Sequence, residues 1–116
     1  MRHRKKGKIL DRKIGPRQAL FRSLSLGLIL NEKITTTEAK AKAVRPICER
    51  LISRARKNNL ANYRRIDSFL RNREATKKIL EQIGPRYKNR PGGYCRIIKI
   101  GPRKGDGAKM AILELI

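Results

Sequence analysis

GPRYKNRPGGYCRIIKIGPRKGDGAKMAILE, residues Gly84 to Glu114, is the stretch that decides how the rest of this chain is read. Two apolar runs, Tyr94–Ile100 and Met110–Ile116, are rich in β-branched and large apolar residues and flanked by Gly or Pro, the pattern of strands. Between them, Gly101-Pro102-Arg103-Lys104-Gly105-Asp106-Gly107 is turn-forming. The expected element is a β-hairpin with a basic loop at its tip. Arg86, Lys88, Arg90, Arg96, Lys99, Arg103 and Lys104 are seven cations, and no acid occurs between Gly84 and Gly105. A hairpin with core on one face and positive charge along its loops suits a polyanion.

The whole chain has the same bias. Its 116 residues suit one domain, and 39% hydrophobic content supports a modest core. Lys and Arg number 31 against 9 Asp and Glu, a net charge of +22. Such an excess speaks to partners, nucleic acid or an anionic membrane, more than to fold. No apolar run approaches the roughly 18 residues of a membrane span. No helix pairs a large exposed apolar face with a basic one, so no membrane partner is expected. The basic amino terminus lacks the apolar segment of a secretory leader, and the chain reads as soluble and intracellular.

Charge is not evenly spread. Residues 1–22 hold nine cations and one acid, residues 23–83 hold fourteen and six, and residues 84–116 hold eight and two. Scaffold in the middle with contact regions at both ends is the simplest partition. Arg2, His3, Arg4, Lys5, Lys6, Lys8, Arg12 and Lys13 lie in a segment too poor in apolar residues to form a core. An extended arm over residues 1–15 is expected, ordering on phosphate, with one globular domain over residues 16–116.

A first helix is expected to begin near Pro16 or Arg17, since Pro is tolerated in a first turn. Its stripe is Leu20, Phe21, Leu24 and Leu28, ending near Asn31; Arg17 and Arg22 extend the arm's basic face. Lys33-Ile34-Thr35 suits a brief strand. Thr35-x-x-Glu38 has capping-box spacing, opening a long helix over about 36–57. Ala41, Val44, Ile47, Cys48, Leu51, Ile52 and Ala55 form its core stripe. Lys40, Lys42, Arg45, Arg50, Arg54, Arg56 and Lys57 crowd the rest, offset by Glu49; they suit a solvated face or RNA contact equally. Pro46 implies a kink or a late start. Tyr63, Ile66, Phe69 and Leu70 mark a third helix. Asn72 is a cap for a fourth, with Thr76, Ile79, Leu80 and Ile83 as its stripe and Gly84-Pro85 as its stop.

Catalytic chemistry has little to stand on. No carboxylate pair sits in an apolar setting suited to acid–base work. Gly101–Gly107 lacks the Lys-Ser/Thr ending of a phosphate-binding loop and precedes a strand. Cys48, Cys95 and His3 fall short of the four ligands of a zinc site. No metal, no cofactor and no small-molecule substrate are expected, and the cysteines read as reduced, partly buried thiols. Tyr87 and Tyr94 are the aromatics set in basic sequence, available for base stacking or for the core.

Gly84-Pro85-Arg86, then Arg90-x-Gly92-Gly93-Tyr94-x-Arg96-Ile97-x-Lys99, then Arg103-x-Gly105-Asp106-x-Ala108-x-Met110-Ala111-x-Leu113-Glu114-Leu115 resembles the signature of the bacterial large-subunit ribosomal protein number seventeen family. The opening Met1-Arg2-His3-Arg4-Lys5 is similar to that family's start. The likeness covers nearly the whole chain. Pro16-Arg17 stands where the family usually has His-Arg before its first helix, and Cys95 where Thr is common. The resemblance implies an α+β fold: helix, strand, three helices and two strands in two layers, with a small mixed three-stranded sheet. It implies a non-enzymatic constituent of the large ribosomal subunit in the cytoplasm. The partners implied are large-subunit ribosomal RNA and neighbouring ribosomal proteins such as number thirty-two, near the exit of the nascent-chain tunnel. The competing class is a free-standing basic nucleic-acid-binding protein, a nucleoid protein or RNA chaperone. Such a protein needs charge, but not Gly92-Gly93-Tyr94 followed by Gly105-Asp106.

Overall fold

Apolar periodicity of 3.6 in the first two thirds and β-branched runs at the end build two layers, helices packed on one face of a sheet. The computed structural model describes residues 13–116. Along the chain come α1 (Ile14–Asn31), β1 (Lys33–Thr37), α2 (Glu38–Ala55), α3 (Leu60–Leu70), α4 (Arg73–Lys78), a π-helical turn (Ile79–Ile83), α5 (Gly84–Arg86), β2 (Cys95–Pro102) and β3 (Lys109–Leu115). With α4, the π turn and α5 taken as one helical stretch, this is the expected order.

The sheet order is β1-β3-β2, antiparallel throughout, which corrects the expectation of a mixed sheet. β1 and β2 do run in the same direction, but β3 lies between them, so no parallel ladder forms. Ile34 faces Leu113 across one ladder, and Ile97 faces Leu113 across the other. Pro102 lies on the outer strand β2, where its missing N–H breaks no ladder. The register shifts between Lys99 and Gly101, placing Ile100 in a bulge. One sheet face buries Cys95, Ala111 and Leu113 against Val44, Cys48, Leu51 and Ile52 of α2 and Leu28 of α1; Ile98 and Ile100 remain exposed.

Three boundaries differ from the sequence-based expectation. Helix α1 starts at Ile14, so Gly15-Pro16 lies within its first turn, where an N–H has no intrahelical partner to lose. Residues 1–12 of the expected arm lie outside the described residues. The cap of α2 is Thr37, not Thr35: its hydroxyl accepts from the Lys40 N–H at 3.3 Å, because β1 pairs with β3 through Thr37 and the helix opens only at Glu38. Helix α2 runs unbroken through Pro46, so it does not start late; the ring is exposed to solvent and disturbs no core contact. Asn59 and Asn72 cap α3 and α4 through their side-chain oxygens at 2.9 and 3.0 Å, Asn72 as expected.

Gly84-Pro85 does not stop the fourth helix. Gly84 keeps right-handed helical angles, φ −55° and ψ −53°, and the chain continues to Arg86. Its lack of a side chain serves close approach to α2: a Cβ there would collide with the Ala55 carbonyl.

Cys48 and Cys95 are both free and buried, 1% exposed each, more deeply than expected. Burial pushes the Cys48 thiol up to about 11, opposed by its contact with the Ser25 hydroxyl, and raises Cys95 further, helped by the neighbouring Cys48 and Glu49. Thiolate is the reactive form. Folded chain at pH 8 is therefore expected to react negligibly with a disulfide reagent that labels both thiols once urea unfolds it; labelling at the same rate in both states would refute this burial.

Candidate nucleic-acid interface

Positive charge reaches the surface from three directions, and tertiary contacts sort it. Arg2, His3, Arg4, Lys5, Lys6, Lys8 and Arg12 lie outside the described residues. Lys13 is exposed beside the start of α1. Arg17 is half-buried, and Arg22 spends its Nε–H on the Phe69 carbonyl at 2.9 Å, tying α1 to α3.

The carboxy-terminal cations, bare in the sequence, acquire acidic partners from elsewhere in the fold. Arg86 pairs with Glu32, whose left-handed backbone (φ 65°) closes α1. Lys78 lies 3.9 Å from the same carboxylate. The Arg86 hydrogen bond lowers the Glu32 pKa, against a smaller opposing effect of burial. Arg96 meets its cross-strand neighbour Glu114 at 2.6 Å. Lys99 lies 3.6 Å from Glu38, which also takes Lys42 at 2.8 Å. At the hairpin tip, Arg103 Nε donates to Asp106 at 3.1 Å, and the Ala108 N–H donates to the same oxygen. The Arg103 bond, then that N–H, pulls Asp106 down to about 2, while Lys104 leaves the tip with a net positive charge. Lys88, Arg90 and Lys104 are exposed with no acidic partner among the described residues.

Tyr87 and Tyr94 are buried, 4% and 1% exposed, which removes them as base-stacking platforms. Their rings pack with centroids 5.3 Å apart. The Tyr94 hydroxyl accepts from Arg56 at 2.9 Å and donates to the Arg90 carbonyl at 3.0 Å. Arg56 also donates to the Lys88 carbonyl at 3.0 Å and stands 6.0 Å from the Tyr94 ring centroid. One guanidinium thus joins the end of α2 to the segment between α5 and β2.

That junction forms an open groove of about 630 Å³ lined by Arg50, Ser53, Arg54, Arg56, Lys57, Asn62 and Lys88. Five of the seven lining residues are cations and none is an acid. Arg50, Ser53 and Arg54 follow one stripe of α2, i, i+3, i+4, and Lys57 follows just past the helix end. Sequence reasoning left these α2 cations undecided between solvent and RNA. Their spacing without an interleaved acid was the available signal; the arrival of Lys88 from outside the helix was not readable.

The chain was compared with known proteins. The family described as Ribosomal protein L17 matches residues 20–116. The large ribosomal subunit protein bL17 of Pelobacter propionicus is 46% identical over all 116 residues, covering 91% of that relative. That of Thermomicrobium roseum is 46% identical over the full chain and 99% of its own length. That of Natranaerobius thermophilus is 48% identical over 94% of this chain and 96% of its own.

Proposed function

The chain belongs to the ribosomal protein L17 family, and from that premise we propose that it is a structural constituent of the large ribosomal subunit, held there by binding large-subunit ribosomal RNA in the cytoplasm. The family is non-enzymatic. The observation that carries the reading is likeness over the full length to proteins named for the large subunit, in a chain of charge +22. Binding is by phosphate neutralisation with counterion release and by fit to folded RNA.

Lys13, Arg17, Lys88, Arg90 and Lys104 join the arm cations Arg2, Arg4, Lys5, Lys6, Lys8 and Arg12 as phosphate contacts in this proposal, with His3 beside them. Arg22, Arg86, Arg96, Lys99 and Arg103 would contribute from positions already fixed by internal bonds. An arm over residues 1–15 before a single globular domain, read from charge and apolar content, completes it, with a position near the exit of the nascent-chain tunnel and neighbours such as ribosomal protein number thirty-two, which follow from the family resemblance.

A lysate fractionated on sucrose gradients in low and then high salt tests this. Comigration with the large subunit, resistant to moderate salt, is expected. Spread through the free fractions, or uniform release by modest salt, would instead make the chain a free-standing nucleic-acid binder.

A further inference from the structure

We propose that the groove between the end of α2, the start of α3 and the Lys88 segment is a binding site for consecutive phosphates of ribosomal RNA, centred on α2 and separate from the amino-terminal arm and the hairpin tip. This rests on the reading that the chain binds large-subunit RNA and adds to it a place on the folded domain.

Three observations converge on the groove. First, its charge is unbalanced locally: five cations line it and no carboxylate does, whereas Arg86, Arg96, Lys99 and Arg103 each have an acid within 4 Å. Like charges four residues apart on a helix repel, and Arg50 and Arg54 stand at that spacing. Attraction of the last-turn cation to the helix dipole accounts for Arg54, which lies in the last turn of α2, but not for Arg50 a turn earlier.

Second, the groove is assembled from separate elements by dedicated bonds. Arg56 holds the Lys88 backbone at 3.0 Å and the Tyr94 hydroxyl at 2.9 Å. The Asn62 side chain donates to the Lys57 carbonyl at 2.9 Å, fixing the start of α3 beside the end of α2. The cations around the rim are therefore carried on a braced backbone, which lowers the ordering cost of binding.

Third, the shape suits a chain more than a small molecule. The groove is open to solvent and its charged groups are all cationic, unlike the enclosed pockets that bury small ligands. An exposed polyanionic backbone matches both the length of the row of cations and its lack of acids.

The test uses the full chain and a transcript of large-subunit ribosomal RNA, with affinity followed against salt. The triple variant Arg50→Ala, Arg54→Ala, Lys57→Ala is compared with wild type and with Arg64→Ala, Arg65→Ala, Arg73→Ala, which removes equal charge from α3 and α4. Unfolding curves confirm that all three chains are folded. The groove variant is expected to flatten the slope of log affinity against log salt by about 1 per lost phosphate contact, so by about 3; the control is expected to change it by less than about 1. Equal losses in both variants would show that net charge alone matters and would overturn the site. Unchanged affinity in the groove variant would overturn it too, while leaving RNA binding by the chain intact. Full RNA affinity with failure to enter the subunit would make the groove a protein contact instead. No preference of wild type for the ribosomal transcript over unrelated RNA would remove the parent reading and the site together.

Discussion

Gly84→Ala is expected to destabilise the protein by about 2–3 kcal/mol, the upper part of the range of roughly 1–3 for forcing extra volume into a packed site. The added methyl would overlap the Ala55 carbonyl oxygen and stand 2.9 Å from its carbon and 3.1 Å from the Ile79 oxygen. All three obstacles are backbone, in two helical segments whose packing buries Ala55 and Ile83, so neither can swing aside as a side chain would. Urea unfolding should show the midpoint falling with its slope unchanged. Gly15→Ala is the control: like Gly84 it is helical and precedes a proline, but beyond its chain neighbours nothing lies within 4 Å of the added carbon. It is expected to change stability by less than about 1 kcal/mol, the helix preference of Ala over Gly being offset by the crowding of a side chain against Pro16. Equal effects from the two changes would refute the close approach as the reason for glycine at 84.

Glu49→Ala is expected to cost about 2–4 kcal/mol. Its two carboxylate oxygens accept the backbone N–H groups of Tyr94 at 3.1 Å and Cys95 at 3.0 Å, pinning the start of β2 onto α2. Hydrogen bonds to a charged acceptor are worth roughly 1.5–3 kcal/mol, and an orphaned buried donor costs roughly 1–3. Both residues are buried, and water replaces the acceptor poorly. Hydrogen exchange at those two amides should accelerate more than at the amides of β3. Glu49→Gln keeps one acceptor oxygen and should lose about half as much. An alanine variant within about 0.5 kcal/mol of wild type, with slow exchange at both amides, would remove the tether from the account.

Glu49 also shows where linear reading stops. In the sequence it and Glu38 are the two acids of a helix with seven cations, and its evident use is to relieve their repulsion. Arg45 does approach it at 4.0 Å. Its stronger bonds go to residues 45 and 46 positions away, a separation no local pattern encodes. The carboxy-terminal cations went the same way. Their run without acids was correct as sequence, yet Glu32 and Glu38 arrive from α1's end and α2's start to meet Arg86 and Lys99. Gly-Pro at 84 was misread as a stop because the same dipeptide satisfies two different demands, a left-handed turn or room for a neighbouring helix, and only the neighbour distinguishes them.

What the sequence by itself determined is what local chemistry and periodicity control. The 3.6-residue apolar stripes set the helices, and Asn72 set a cap. β-branched runs around Gly101–Gly107 set the hairpin, and the excess of Lys and Arg set a net charge of +22. The motif from Gly84 to Leu115 carried the family resemblance. Tertiary structure alone decided which charges are spent within the fold and which remain outward. It placed β3 between β1 and β2, took Tyr87 and Tyr94 into the core, and drew Lys88 beside Arg50, Arg54 and Lys57 through Arg56. Each of these depends on contacts between residues distant in the chain, where the energy of a pairing is set by three-dimensional proximity and burial and leaves no periodic trace in the order of residues.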